Sequence, residues 1–176
     1  MRATFNKQNI QNSMGIFDKL FGSKKQDKVG YMPTRKLNFQ YDLVPENGAK
    51  LSEQFRSAIK ANENIDLDFS KDTLEFVDSF LQRFRDEGLT VNDFAETIFV
   101  AGCYIGQSMV KNNEGIWIKQ EDANLPNGVT MMPLVIRLPN GTVTDPIAKA
   151  FKRFYNGDED NIPFYYQVFT SANEEE

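Results

Sequence analysis

The 176-residue chain is predicted to adopt an α+β fold, on three observations. Apolar residues recur at helical spacing in blocks that carry their own start and stop residues. After Gly115 the period shortens toward that of strands, and the tetrapeptide Leu-Pro-Asn-Gly occurs twice, at 125–128 and 138–141, as hairpin turns require. The block from Thr90 to Lys111 is apolar on most of its circumference, which marks a buried helix rather than a surface one. The expected architecture is a central buried helix with flanking helices, a small antiparallel β-meander and two closing C-terminal helices, in a single domain over 37–169.

The elements follow in chain order. Residues 1–36 read as a basic arm. Within it, Ile16, Phe17, Leu20 and Phe21 fall on one stripe of a short helix over 15–21, and Lys24, Lys25 and Lys28 follow Gly22. Met14-Gly15-Ile16-Phe17 also resembles the start of many small bacterial proteins, which makes Met14 an alternative start to Met1. Residues 23–36 read as a linker. Leu37, Phe39, Tyr41 and Leu43 alternate with Asn38, Gln40 and Asp42, the pattern of a half-buried strand. Leu51, Phe55, Ala58 and Ile59 predict a helix over 49–61, followed by a polar connection over 62–68.

A helix over 70–87 is expected from the stripe Leu74, Val77, Leu81 and Phe84, widened by Phe76 and Phe80, with Ser70 as its cap and Gly88 as its stop. The central helix, 91–111, has Thr90 as cap with Asp93 three residues on, a capping-box arrangement. Strands are expected at 116–118, 129–138 and 142–144, with Pro133 breaking the middle one. Asp145-Pro146 starts a helix that Gly157 ends. Asn161 caps a last helix from Pro163 to about Phe169, and 170–176 is an acidic tail.

Composition narrows function. The chain has no histidine, which removes Ser-His-Asp and Cys-His catalysis, histidine-bearing zinc sites and imidazole switches. Its one cysteine cannot form an internal disulfide. The net charge of −5 is split: residues 1–36 carry eight Lys/Arg against two Asp, or +6, and the other 140 residues carry twelve against twenty-three, or −11. An acidic body repels nucleic acid, so no nucleic-acid partner is expected. The basic arm is the part suited to an anionic surface. The polar start lacks the apolar run of a secretory signal, and 94–110 is too short and polar to span a bilayer. A cytoplasmic protein is expected, with peripheral attachment at the inner membrane as the alternative.

Gly102 and Gly106 share one face of the central helix, and each disfavours a helix interior by roughly 0.8–1 kcal/mol relative to alanine. Something must offset that. With Tyr104, Gln107 and Trp117 they define a groove that either packs against another element or admits a ligand, packing being favoured. In this region the chain resembles a family of uncharacterised bacterial domains of unknown function. The likeness lies in a Gly-x-Tyr-Leu/Ile-Gly-Glu/Gln helix (Gly102, Tyr104, Ile105, Gly106, Gln107), a Gly-x-Trp strand (Gly115, Trp117), an Asp-Pro helix start with Lys-Arg (Asp145, Pro146, Lys152, Arg153) and a glycine one turn later (Gly157). It covers about residues 70–169 and implies no activity. Gln107 stands where a glutamate is common, which argues against a carboxylate acting there.

Asp158, Glu159 and Asp160 lack the spacing of a calcium loop and read as solvated turn charge. Cys103 reads as a packing residue. No cofactor and no catalytic residue are expected. The resulting expectation is a non-enzymatic intracellular bacterial domain that binds another protein, in an immunity or regulatory role, its acidic surface engaging a basic partner. The alternative is a peripheral membrane protein anchored by 14–28 through Ile16, Phe17, Leu20, Phe21, Lys24 and Lys25.

Overall fold

A computed structural model describes residues 30–126, 129 and 132–171. Its axis is helix α3 (Val91–Asn113), and no residue between Ala101 and Met109 is left outside the core. The Thr90 hydroxyl accepts the Asp93 N–H at 3.3 Å and the Asp93 carboxylate accepts the Thr90 N–H at 3.0 Å, so both halves of the expected capping box form. The other described helices are α1 (Gly48–Glu63), α2 (Thr73–Asp86), α4 (Pro146–Asn156) and α5 (Ile162–Thr170). Strands β1 (Ile116–Lys119), β2 (Leu134–Arg137) and β3 (Val143–Thr144) form an antiparallel sheet in the order β1-β2-β3. The fold is α+β, as expected.

Packing follows the apolar stripes. α1 and α4 lie along α3, while α2 and α5 pack on each other and on α4. Aromatic rings join the helices in a chain from Phe55 through Phe80, Phe84 and Phe94 to Phe154, with centroids 4.7–5.9 Å apart. In the sheet, register sets Trp117 opposite Ile136 and Ile118 opposite Val135. Alternation then sends Leu134 and Ile136 into the main core, and Ile118 and Val135 into a second cluster closed by Ala123, Leu125 and Val143.

The structure corrects several element assignments. Residues 37–43 form no strand. Leu37 and Leu43 are buried and Phe39 and Tyr41 partly so, but the segment lies directly on the helical core, the Phe39 ring tilted against that of Phe99 with centroids 4.4 Å apart, so its alternation reports packing and not pairing. Residues 30–36, read as arm and linker, touch the body: the Arg35 guanidinium clasps the Glu96 carboxylate, and the Thr34 N–H donates to Asn92 at 2.8 Å. Ser70 does not cap α2 with its side chain. The helix starts three residues later, and the Ser70 carbonyl accepts from the Thr73 N–H at 3.2 Å and its hydroxyl at 2.7 Å. The connection expected to be polar buries Leu67. β2 begins only after Pro133, whose missing N–H ends the ladder there.

The stop of α2 is a Schellman motif. Gly88, at φ +82°, donates its N–H to the Arg85 carbonyl, and Leu89 donates to the Phe84 carbonyl. No heavy atom lies within 4 Å of where a Gly88 side chain would start, so a substitution tests backbone conformation alone. Gly88→Ala is expected to lower stability by about 1 kcal/mol, and Gly88→Asn by less, since Asn tolerates the left-handed region. Urea midpoints that shift at constant slope would show this.

Candidate functional site

The groove beside Gly102 and Gly106 is filled by the chain itself. A methyl group on Gly102 would lie 2.5 Å from the Ile147 Cα and 3.1 Å from the Pro146 carbonyl oxygen. One on Gly106 would overlap the Trp117 ring and lie 2.9 Å from the Pro146 ring. The first turn of α4 and the indole thus rest on bare α3 backbone. The indole also covers Gly48 at the start of α1, where a methyl would overlap it too. Its Nε1–H donates to the Gln107 Oε1 at 3.0 Å, which orients the ring. Gly102, Gly106, Gln107 and Trp117 are therefore brought together as one seam.

Tyr104 points elsewhere. Its ring stacks on Phe69 at 4.6 Å, and its hydroxyl accepts the Phe69 N–H at 2.7 Å. Thr73 gives its proton to the Ser70 carbonyl, so the Tyr104 hydroxyl donates to the Thr73 Oγ1 at 2.7 Å. Burial pushes the phenol above its ordinary range. Phe69 itself sits at φ +69°, a left-handed conformation rare for a bulky side chain. The contacts that hold it there are the Tyr104 hydroxyl, the Asn112 amide donating to its carbonyl at 2.7 Å, and Lys111 4.1 Å from its ring centre.

Asp145 joins the seam to the sheet. As N-cap of α4 it accepts the Ala148 N–H at 2.8 Å, and its other oxygen accepts the Met132 N–H at 2.7 Å. Burial pushes its carboxyl up from 3.8 to about 6, with those two N–H groups and the Lys152 charge pulling the other way. Cys103, also buried, has its thiol pushed well up by desolvation, so the reactive thiolate is disfavoured.

A second polar cluster lies where α2, α4 and α5 meet, and sequence reading missed it. The Arg153 guanidinium, 2% exposed, donates to both Asp78 oxygens at 2.7 and 2.8 Å, to Gln82 at 2.5 Å and to Asp158 at 3.0 Å. Asp78 also accepts the Ile162 N–H at 2.9 Å, which fixes the start of α5. Asp158 and Asp160 are therefore more than solvated turn charge: Asp160 accepts from Lys149 at 2.7 Å. The signals available were an aspartate on an apolar helix stripe and the Lys-Arg of α4, and their separation in sequence hid the pairing. The cluster borders an open depression of about 610 Å³ lined by Gln82, Arg83, Asp86 and Glu87.

The outer surface of α5 differs from the rest. The helix sequence, IPFYYQVFT, contains no charged residue. Ile162, Tyr166 and Thr170 face inward, while Phe164 (66% exposed) and Val168 (53%), four residues apart, face out together. Asp158, 93% exposed at its side chain, and exposed Glu159 precede the helix. The arm residues Ile16, Phe17, Leu20, Phe21, Lys24 and Lys25 lie outside the described residues. Among the described residues no group of three or more potential metal ligands occurs, and no helix is long and apolar enough to cross a membrane. Comparison with protein-family models, with curated proteins and with solved structures returned no match.

Two outcomes are expected. Gly106→Ala must displace the indole, so stability falls by about 1–3 kcal/mol and the emission of Trp117, the chain's one tryptophan, moves to the red. Unchanged emission would contradict the seam. For Asp145 the folded pKa lies above the ordinary value, so the protonated form is the stabilising one. Its contribution is complete below about pH 4 and is lost as pH rises to about 6, roughly 3 kcal/mol in all. Wild-type stability measured against Asp145→Asn, which does not titrate, should fall across that interval; a pH-independent difference would contradict it.

Proposed function

We propose that the chain is a protein-binding module that holds a basic, amphipathic segment of a partner against the outer face of α5. The observation that carries this reading is the pair Phe164 and Val168, exposed side by side on a helix without charge, in a protein whose residues 37–176 sum to −11. Isolated apolar residues on a surface are ordinary, but two on one helix face with acids at its leading end match an apolar stripe flanked by lysines. The apolar pair supplies burial, and the acids supply steering and orientation. Such a surface suits an immunity or regulatory protein that acts by contact.

The test is titration of the full chain with dye-labelled amphipathic peptides, read by anisotropy at low salt. A lysine-rich peptide should bind, and a glutamate-rich peptide of the same apolar pattern should not. Added salt should weaken binding, since exposed charges are screened beyond roughly 10 Å at 0.1 M. Phe164→Lys with Val168→Lys should weaken it at least about tenfold, a loss near 1.4 kcal/mol. Equal binding by that double variant would refute the reading. Co-sedimentation of the chain with anionic vesicles, lost in Phe17→Glu, would instead favour a membrane surface.

A further inference from the structure

We infer that residues 14–21 of this same chain occupy the α5 face, so that the binding surface is covered in cis. The inference rests on the reading of α5 as a docking surface and names its resident occupant. The described structure begins at Gly30, and its starting point decides reach. The Gly30 backbone lies against the Tyr155 ring, a methyl there falling 3.0 Å from the Tyr155 hydroxyl oxygen. Lys152 stands 5.4 Å from the Tyr31 ring centre, and Asp160 is close enough to help raise the Tyr31 phenol, after burial and Asp145. Asp160 in turn holds Lys149, which lies 5.6 Å from the ring centre of Tyr165 in the first turns of α5. The chain therefore enters the described body beside the 158–160 turn that leads into α5.

From Gly30 back to Phe21, the intervening residues span up to about 30 Å when extended. α5 is about 13 Å long, so the apolar stripe Ile16, Phe17, Leu20 and Phe21 reaches any point on it. The chemistry is complementary. The stripe offers apolar side chains to Phe164 and Val168. Residues 14–28 carry Lys19, Lys24, Lys25 and Lys28 against Asp18 and Asp27, a net +2 that suits Asp158 and Glu159 at the leading end of the helix. A helix this short is marginal alone, so it gains most from a surface to fold upon. The short tether raises local concentration to roughly millimolar, which populates a contact too weak to persist between separate molecules. A partner of the same face must then displace the arm.

The experiment titrates a dye-labelled peptide of residues 14–28 into three full-length proteins: wild type, an arm variant (Phe17→Glu with Leu20→Glu), and the arm variant carrying Phe164→Lys and Val168→Lys. The peptide should bind the arm variant at least about tenfold more tightly than wild type, and the third protein not at all. Equal binding to wild type and arm variant, lost in the third, would overturn cis coverage and leave the docking surface standing. Failure to bind any of the three would overturn both. Sedimentation should show wild type as a monomer; a concentration-dependent dimer abolished in the arm variant would assign the arm to a second copy and overturn the cis arrangement. Both α5 positions are exposed, and Phe164→Ser serves the same purpose should the lysine pair unfold the chain.

Discussion

The structure depends on one close approach. Two glycines four residues apart strip α3 of side chains along one face, and each weakens the helix by about 1 kcal/mol. In return the backbone at Pro146 and Ile147 comes to van der Waals distance of α3, and a large indole packs beside it. Three elements far apart in sequence are indexed to that groove: the start of α1 through Gly48, β1 through Trp117, and α4 through its first turn. Asp145 adds a fourth by tying the residue before Pro133 to the cap of α4.

Buried polar groups then select among packings that burial alone would leave nearly equal. The relay from the Phe69 N–H through Tyr104 and Thr73 to the Ser70 carbonyl fixes a loop with little regular structure. Arg153, Asp78 and the Ile162 N–H fix the angle at which α5 leaves the body. A buried ion pair adds little net stability compared with apolar side chains of the same volume. Its effect here is orientation: with Ile162 pinned, the helix turns Tyr166 inward and Phe164 and Val168 outward.

What could be read from the sequence was what is local. The capping box at Thr90 and Asp93, the Asp145-Pro146 start, the Asn161 cap and the Gly88 stop depend on neighbours within one turn, and all form. The need to cover Gly102 and Gly106 was legible as an energetic debt, though not which residues cover them. The segment 37–43 misled because period-two burial arises whenever an extended chain lies across a core, with or without a hydrogen-bonded neighbour. The Arg153–Asp78 pair and the left-handed Phe69 were illegible: one joins residues from distant helices, and the other is a conformation that only its surroundings sustain. Of the groove residues, Tyr104 stands two positions from both Gly102 and Gly106, about 200° around the helix, so its turn to another face follows from spacing and its grouping with the glycines did not. The arm's apolar and basic pattern is plain in the sequence, but the exposed face of α5 on which we propose it rests is defined only once that helix is oriented.

The same notch has a kinetic side. During synthesis α3 emerges from the ribosome before Trp117, and well before Pro146 and Ile147, so its weakest stretch waits uncovered while the remainder is still being made. The indole and the first turn of α4 bury that notch only when helix, sheet and closing turn have come together, so the glycine face of α3 has nothing to rest on until residues beyond Ile147 have been made.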